Sequence, residues 1–338
     1  MRVTILYPLT NSPHGGGNQF LKLLKKWLIQ KELWVDNPAD ADIALINSHQ
    51  HVEHILNVNS RFPNLPLVHR IDGPVSIPRN SRRTVDDLIF TLNQSLVSGT
   101  VFQSDWSKNK NYTFGLQEPK QSVVIINTPD PEIFFKSVEK EISTPKTKLV
   151  ASSWSGGPTK GFETHRWLDQ NLDFSKYDFT FIGNSPIRFE NIKHVPPLKS
   201  EALAKELRQR DIYIFPSRIE ACSNALLEGL SCGLPTVAFN GSSNPESVQK
   251  GGELFTNPSE IPDLIKKIEK NYADYQSKIN VSSIDEIGSQ YLDFFEKVLT
   301  NPRDKSASSI QKLRIKRLIF QYKLEGYLGA RLKKIGFG

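Results

Sequence analysis

The chain has 338 residues, 38% of them hydrophobic and 23% charged, and this length fits two domains better than one. No apolar run approaches the roughly 20 residues that a membrane-spanning helix requires, so a spanning protein is excluded at this level. Two cysteines, Cys222 and Cys232, cannot form a disulfide framework, which favours a reducing, cytoplasmic location. The first residues, MRVTILYPL, are typical of a strand, and we expect no signal peptide.

The net charge of +7 is concentrated at the C-terminal end of the chain. From Lys305 onward, nine lysines and arginines stand against one acid, Glu325, a net charge of +8, so residues 1–304 sum to −1. Proteins that bind nucleic acid usually carry positive charge across a folded face, often together with aromatic residues on which bases stack. Nucleic acid is therefore not an expected partner.

The first part of the chain alternates short apolar runs with polar or amphipathic stretches. The pattern predicts helices over 18–30 and 83–96, and strands over 3–7, 43–47, 67–70, 99–103 and 123–126. Such alternation is typical of a mostly parallel sheet with helices on both faces. Residues 1–140 are therefore predicted to form one doubly wound α/β domain.

The segment 136–148, KSVEKEISTPKTK, is charged and lacks apolar periodicity, which predicts a linker. After it the alternation resumes, with strands predicted over 148–154, 179–183, 211–217 and 235–239 and helices over 161–171, 200–209 and 224–232. Helices over 260–300 complete a second doubly wound domain, 141–302, and 303–338 form a basic tail. Because ligands of such sheets bind beyond the carboxyl ends of the strands, we expect the site in a cleft between the two domains.

Two carboxylates flank the start of a predicted helix in IEACSNALLEGLSCGLPTVAF, residues 219–239. Ser223 or Asn224 is a suitable N-cap, and the glycine and proline after residue 232 end the helix. The backbone N–H groups of its first turn would bind an anion such as phosphate, and we assign this role to three residues: Ala225, Leu226 and Leu227.

Glu228 lies about 6 Å along the predicted helix axis from Asn224. A nucleotide whose diphosphate bound at the helix start would have its ribose beside Glu228. A carboxylate accepts hydrogen bonds from both hydroxyls of a diol. Glu220, in the loop before the helix, is placed for the hydroxyls of the group on the far side of the diphosphate. The spacing indicates a pocket for a nucleotide sugar.

The segment PSRIEACSNALLEGLSCGLPTV, residues 216–237, resembles the E-x7-E segment of retaining glycosyltransferases of the GT-B fold, in particular family 4. Six further segments resemble motifs of that family in the same order: HGGGNQF (14–20), LVHRIDGP (67–74), VFQSDWSKN (101–109), VVIINTPDPEIFF (123–135), SGGPTKGFE (155–163) and FTFIGNSP (179–186). The resemblance covers about residues 1–255. It implies two Rossmann-like domains that face each other across a cleft.

The resemblance also implies roles for individual residues. Glu228 would hold the ribose, Glu220 the donor sugar, and Lys160 the diphosphate leaving group. His69 and Asp72 would line the sugar and acceptor side, and two glycines, Gly16 and Gly17, would let the backbone approach the donor closely. Family members typically need no metal and no other cofactor.

This sequence departs from the family where an arginine usually precedes the lysine by five residues, because Ser155 stands there. Either of two other arginines, Arg188 or Arg218, would have to replace that cation. The glycine–aromatic pair that usually follows the first glutamate is also changed, to Ala221-Cys222-Ser223, so donor specificity does not transfer.

Several of these residues also have plain structural interpretations. Glu220, Glu228 and Lys160 are each compatible with a solvated surface, and Gly15–Gly17 with a turn. His69, at a strand end, is equally compatible with a hydrogen-bonded structural histidine. His49, His51 and His54 lack the converging partners of a zinc site, which favours a solvated loop. Cys222 has no evident catalytic partner and is interpreted as part of a pocket wall.

The basic tail admits two interpretations. Residues 308–337 mix apolar and basic side chains, which suits a segment that lies on a membrane surface. The alternative is a helix that packs back on the domains, although Gly326 and Gly329 argue against one continuous helix.

The sequence as a whole predicts a retaining hexosyltransferase of polysaccharide biosynthesis. It would move a hexose from a nucleoside-diphosphate sugar to a hydroxyl of a glycan or lipid-linked glycan, in the cytoplasm or at the inner face of a membrane. Two alternatives stay open: a nucleotide-sugar epimerase of the same fold, and a catalytically degenerate protein that only binds nucleotide sugars.

Overall fold

The computed structural model describes residues 1–10, 16–79, 81–136, 141–301 and 308–334, the last six by their backbone only. The chain forms two compact units. The first unit comprises Met1–Leu9, Lys25–Ile125 and Gly288–Gly338, and the second comprises Thr10–Leu24 and Ile126–Ile287. This division differs from the predicted boundaries of 1–140, 141–302 and 303–338, because the C-terminal helix belongs to the first unit and residues 10–24 to the second.

The first unit contains a parallel sheet whose strands follow one another in chain order. They are β1 (Val3–Ile5), β2 (Ile43–Asn47), β3 (Leu67–Ile71), β4 (Gly99–Phe102) and β5 (Ser122–Val124). All residues of β2 and β3 are buried, as expected for central strands of a parallel sheet that is covered on both faces. The helices up to β5 are α1 (Gly16–Gln30), α2 (Val52–Arg61), α3 (Ser76–Arg79), α4 (Thr84–Leu96) and α5 (Asp105–Thr113).

The second unit contains a six-stranded parallel sheet in the order β11-β10-β9-β6-β7-β8. Its strands are β6 (Thr147–Ser153), β7 (Tyr177–Gly183), β8 (Lys193–Val195), β9 (Ile212–Phe215), β10 (Thr236–Phe239) and β11 (Gly252–Phe255). The chain builds outward from β6 to β8, then returns to place β9 on the other side of β6. The strand order therefore reverses between β6 and β9, which is where open α/β sheets bind their ligands.

The helices after β5 follow in chain order, and the C-terminal one belongs to the first unit. They are α6 (Phe162–Asn171), α7 (Ser200–Arg208), α8 (Asn224–Ser231), α9 (Asn244–Val248), α10 (Ile261–Lys270), α11 (Tyr272–Ser277), α12 (Ile284–Thr300) and α13 (Ser309–Lys334). The core of the second unit is built from buried aromatic and β-branched side chains such as Phe179, Phe181 and Ile212.

All strands predicted from the sequence are present, and both sheets are parallel as predicted. The expectation that Gly326 would interrupt the C-terminal helix is wrong, because α13 continues through it from Ser309 to Lys334. Packing explains the difference: Ile315 and Ile319 of α13 are buried in the core of the first unit. Tertiary contacts of this kind outweigh the cost of about 1 kcal/mol that a glycine imposes on a helix.

Candidate nucleotide-sugar site

The reversal between β6 and β9 brings together two loops that are distant in sequence. The chain leaves the carboxyl end of β6 through residues 154–157 into a 3-10 turn, Pro158–Lys160, and leaves β9 through residues 216–223 into α8. Backbone contacts join the two loops, since the N–H of Arg218 donates to the carbonyl oxygen of Thr159 at 2.8 Å. Two side chains predicted to bind the donor, Lys160 and Glu220, therefore share one edge of the sheet.

Lys160 and Glu220 form an ion pair at this edge. The Lys160 Nζ lies 2.6 Å from the Glu220 Oε1, with 27% and 12% of the two side chains exposed. The buried Ser217 hydroxyl donates to the same carboxylate oxygen at 2.5 Å. The N–H of Glu220 donates to the Ser242 hydroxyl at 3.0 Å. Glu220 is thus held on both its backbone and its side chain, which fixes the position of a hydrogen-bond acceptor.

Gly161 allows the lysine loop to approach β9. Its φ of +76° lies in the left-handed region, and a Cβ there would stand 2.2 Å from the carbonyl oxygen of Pro216. Both observations require glycine. The sequence showed a lysine–glycine step, but the resemblance alone did not reveal why glycine follows Lys160.

The N-terminus of α8 presents backbone donors, as the sequence predicted. Ser223 is the N-cap, but its side chain makes no capping hydrogen bond, and the first-turn N–H groups of Ala225 and Leu226 have no partner in the described part of the chain. The N–H of Leu227 already donates to the Ser223 carbonyl oxygen at 3.1 Å, so Leu227 does not contribute an anion-binding N–H group as expected. The helix N-terminus carries a partial positive charge that favours anions.

Gly16 lies against this same helix start. The Asn224 amide donates to the carbonyl oxygen of Gly16 at 2.8 Å, and a Cβ on Gly16 would stand 2.9 Å from the Asn224 Nδ2. Gly17 is the second residue of α1 and is half-buried. The amide of buried Asn18 holds Thr10 through two hydrogen bonds of 3.1 Å, a contact that the sequence did not indicate.

Glu228 is a half-buried acid on α8. Burial raises the pKa of its carboxyl from 4.5 to about 8, and within the described ranges no cation pairs with it. The Tyr213 hydroxyl lies 2.7 Å from the Ser152 Oγ. Burial raises the pKa of this hydroxyl most, and the charges of Glu228 and Glu220 raise it further. Both carboxylates are thus close enough to the buried Tyr213 hydroxyl for their charges to raise its pKa.

Ser155 supplies no charge to the site. Its hydroxyl accepts the N–H of Gly157 at 3.1 Å, which stabilises the loop after β6. Of the two arginines considered as replacements, Arg218 lies 3.8 Å from the Glu163 carboxylate and stacks on the Phe239 ring at 4.9 Å. Arg188 is exposed in the loop after β7.

His69 belongs to the first unit and is fully buried in β3. Its Nε2 donates to the Ser48 carbonyl oxygen at 2.8 Å, and its Nδ1 accepts from the Asn93 amide at 3.3 Å. Burial lowers the pKa of this imidazole to about 4, so it is neutral at physiological pH. With both ring nitrogens occupied inside the unit, the structural interpretation of His69 is favoured over contact with a sugar.

Asp72 follows β3 and is partly exposed at the carboxyl edge of the first sheet. The Gln103 amide donates to its carboxylate, and the Arg70 guanidinium lies 3.7 Å away. Residues after β1 and β2 reach the same edge: burial and the Asp72 charge raise the pKa of Tyr7, while burial and Arg79 lower the pKa of His49. This edge of the first sheet therefore gathers several polar side chains.

The three histidines of residues 49–54 do not converge. His49 is half-buried against the Tyr322 ring, with centroids 5.5 Å apart, so it is less solvated than predicted, whereas His51 and His54 are exposed. Over the described ranges, no group of three or more His, Cys, Asp or Glu side chains is arranged to hold a metal ion. The Cys222 thiol accepts the N–H of Asn127 at 3.4 Å, consistent with its place in a loop wall.

Comparison with known proteins places this geometry in a family context. Residues 169–274 match the family model described as glycosyl transferases group 1, a segment that contains Glu220, Glu228 and α8. Protein CapJ from Staphylococcus aureus is 29% identical over 116 residues, which are 34% of this chain and 25% of CapJ. The chain therefore aligns with about a quarter of that relative.

Two solved structures share the fold over most of their length. Sucrose-phosphate synthase from Thermosynechococcus elongatus superposes with a TM-score of 0.69 at 12% identity, over 88% of this chain and 98% of that one. HepE from Anabaena, solved with UDP-glucose, superposes with a TM-score of 0.66 at 15% identity, over 88% and 100% of the chains. The protein thus has the predicted two-domain GT-B fold, and a segment of its second unit matches the model of group 1 glycosyl transferases, which supports the predicted enzyme class.

Proposed function

We propose that the protein is a retaining glycosyltransferase of the family 4 type. It moves a hexose from a nucleoside-diphosphate sugar to a hydroxyl of a glycan or lipid-linked glycan, in the cytoplasm, without a metal cofactor. The observation that carries the proposal is the ion pair of Lys160 and Glu220 at the strand reversal, beside the open N-terminus of α8 and the half-buried Glu228.

Lys160 and Glu220 exchange partners when the donor binds. In the structure the Glu220 carboxylate neutralises Lys160, and Ser217 keeps the carboxylate in place. A donor diphosphate at the start of α8 competes for Lys160, because its charge exceeds that of one carboxylate. Glu220 then accepts hydrogen bonds from the sugar hydroxyls, and Lys160 stabilises the charge that develops on the leaving diphosphate.

The proposed transfer step retains the configuration of the anomeric carbon. The bond between the anomeric carbon and the diphosphate oxygen breaks, and the acceptor oxygen bonds to the same carbon on the same face of the ring. The acceptor proton passes to the leaving phosphate oxygen, so no separate protein base is needed. Lys160 supplies the positive charge that a metal ion provides in other transferases.

The ribose contact assigned to Glu228 has a chemical basis in its environment. A carboxyl without a paired cation gains most from the two donors of a ribose diol, because they favour its ionised form. Donor binding should therefore lower the pKa of Glu228 from about 8 and release a proton near neutral pH.

UDP-hexoses are the first donors to test. HepE was solved with UDP-glucose, and a mutant of TarM from S. aureus with UDP and alpha-GlcNAc-glycerol. WaaG is described as a transferase of lipopolysaccharide biosynthesis, which supports a glycan or lipid-linked glycan acceptor. On this protein the polar edge around Asp72 is the proposed acceptor side.

The experiment combines donor binding with turnover. A thermal-shift screen of UDP-, GDP- and ADP-sugars selects the donor, and turnover is then measured with candidate glycan acceptors for the wild type, Glu220→Gln and the control Glu201→Gln. Glu201 is an exposed acid on α7. We expect Glu220→Gln to lower turnover about 100-fold or more, since a fixed contact in the transition state is lost, and Glu201→Gln to leave it unchanged.

Four outcomes would overturn parts of the proposal. Unchanged turnover in Glu220→Gln would show that the assigned site is wrong. Interconversion of free UDP-N-acetylhexosamines without an acceptor would identify an epimerase. Donor binding with no turnover for any acceptor would indicate a degenerate binding protein, the alternative that the uncharged Ser155 favours. Loss of activity in a chelator would refute metal independence.

A further inference from the structure

Helix α13 has two apolar faces. On one, Ile315 and Ile319 are buried in the core of the first unit, and Leu318 and Tyr322 pack partly against it. Polar contacts hold the same side, because the Thr84 hydroxyl donates to the Glu325 carboxylate at 2.8 Å. One side of α13 is therefore an integral part of the first unit.

The opposite side of α13 exposes large apolar side chains. At helical spacings of three, four and seven residues they fall on a single stripe, about half a turn from Ile315. The stripe consists of Ile310 (80% exposed), Leu313 (67%), Phe320 (70%), Leu324 (45%), Tyr327 (63%) and Leu328 (48%). Exposed apolar residues scattered singly are ordinary, but a contiguous stripe of this length marks an interaction surface.

Basic residues border this apolar stripe. Lys312, Lys316 and Lys323 follow one margin, Arg314 follows the other, and Arg317 lies within the stripe. Lys323 also pairs with Glu53 of α2 at 2.8 Å. The acid of this stretch, Glu325, faces the first unit, where Arg82 lies 3.7 Å away. The exposed side of the helix is thus apolar at its centre and cationic at its margins.

We propose that the apolar stripe of α13 binds an anionic lipid surface, with the helix axis parallel to the membrane plane. The apolar side chains would enter the boundary between headgroups and acyl chains, and the lysines and arginines would contact the anionic headgroups. Within the described residues, no helix combines the length and the apolar character needed to cross a bilayer.

A second copy of the chain is a poorer occupant of this stripe. If two copies met through this stripe, the five basic residues of one helix would face the five of the other and repel them. The single acid of each helix, Glu325, faces its own unit and would not compensate. A lipid surface supplies the opposite charge instead. Charge complementarity therefore favours lipid over self-association.

The inner side of α13 reaches the proposed acceptor edge. The Tyr322 hydroxyl lies 3.4 Å from the His49 Nε2, and the rings of the two residues are in edge-to-face contact. His49 follows β2 at the edge that also carries Asp72. The helix that contacts the membrane would thus adjoin the groups that receive an acceptor, which fits an acceptor carried on lipid. This last step rests on the proposed function, whereas the lipid contact does not.

The test uses point variants, because deleting α13 would expose the core that Ile315 and Ile319 fill. The full-length protein is sedimented with vesicles of phosphatidylcholine alone or with about 30% phosphatidylglycerol. The variant Leu313→Glu/Phe320→Glu changes two exposed residues of the stripe. The control, Ile29→Glu, changes an apolar residue of α1 that is 52% exposed. Thermal melts verify that all variants are folded.

We expect the wild type and Ile29→Glu to bind the anionic vesicles, and the double variant to bind them at least about tenfold more weakly. Binding to phosphatidylcholine alone should be weak for all three. Equal binding by the wild type and the double variant would refute the proposal. The proposal would also be refuted if the wild type did not bind vesicles but formed a dimer that the double variant could not form. The stripe would then bind a second copy of the chain. Neither readout depends on transferase activity.

Discussion

Glu228 should make the empty protein less stable as the pH rises, and Glu228→Gln should remove that dependence. Burial raises the pKa of this carboxyl from 4.5 to about 8, and no cation in the described residues offsets the cost of ionising it. Between these two pH values the folded protein retains a proton that the unfolded chain has lost. The stabilisation is therefore complete below about pH 4.5 and is lost as the pH rises through about 8.

The size of the effect follows from the two pKa values. A difference between 4.5 and about 8 corresponds to at most about 5 kcal/mol, since one pKa unit is worth about 1.4 kcal/mol. Glu228 is half-buried, and water that reaches its carboxyl reduces this figure. We expect about 2–4 kcal/mol between pH 5 and pH 9. The glutamine, which is neutral throughout, does not contribute to the pH dependence.

The assay is urea denaturation of the wild type and Glu228→Gln from pH 5 to pH 9. Other titrating groups are common to both proteins, so the difference between their free energies of unfolding isolates Glu228. That difference should grow in favour of the variant as the pH rises. The same variant should bind the donor about 10 to 100 times more weakly, because the ribose hydroxyls lose a charged acceptor. Glu201→Gln serves as the control in both measurements.

Parallel stability curves for the wild type and Glu228→Gln would refute this reasoning. They would mean that the carboxyl is ionised and solvated, as in the surface interpretation. A variant that is more stable at high pH and still binds the donor with full affinity would support the buried acid but exclude the ribose contact. The two halves of the argument can therefore fail separately.

Three further substitutions test the site and its surroundings. Lys160→Met should lower turnover about 100- to 1,000-fold, because the cation at the leaving group is lost. The control Lys176→Met, which removes only an exposed ion pair of 3.0 Å with Asp173, should leave turnover unchanged. Equal turnover in Lys160→Met and the wild type would contradict the role of Lys160. Gly161→Ala should lower the free energy of unfolding by about 1–3 kcal/mol, because φ is +76° and the added Cβ would collide with Pro216. Urea denaturation measures this change. An unchanged free energy of unfolding would show that the loop is not held against Pro216. His69→Gln should lower the free energy of unfolding by about 1–3 kcal/mol without changing turnover per folded molecule. A loss of turnover with unchanged stability would instead support a contact between His69 and the sugar.

The fold was largely predictable because the spacing of apolar residues along the sequence indicates which side chains are buried. The apolar runs of β2 and β3 indicate strands covered on both faces, and both are fully buried. Strand order is a different matter, since β9 lies next to β6 although about 60 residues separate them. The resemblance indicated that Lys160 and Glu220 belong to one site. Their direct ion pair depends on the strand order, which no local sequence pattern contains.

The identity of a site residue depends on what surrounds it, and a single sequence does not carry that information. The segment around His69 matched a family motif, but a side chain in a central strand of a covered parallel sheet has no path to solvent. Conversely, the sequence showed a mixture of apolar and basic residues in α13 without indicating which apolar residues the protein buries. Once Ile315 and Ile319 are placed in the core, the remaining apolar residues lie on the opposite side with nothing of this unit to cover them. The composition of the tail, which was equally compatible with packing and with a membrane surface, is explained if the same helix does both.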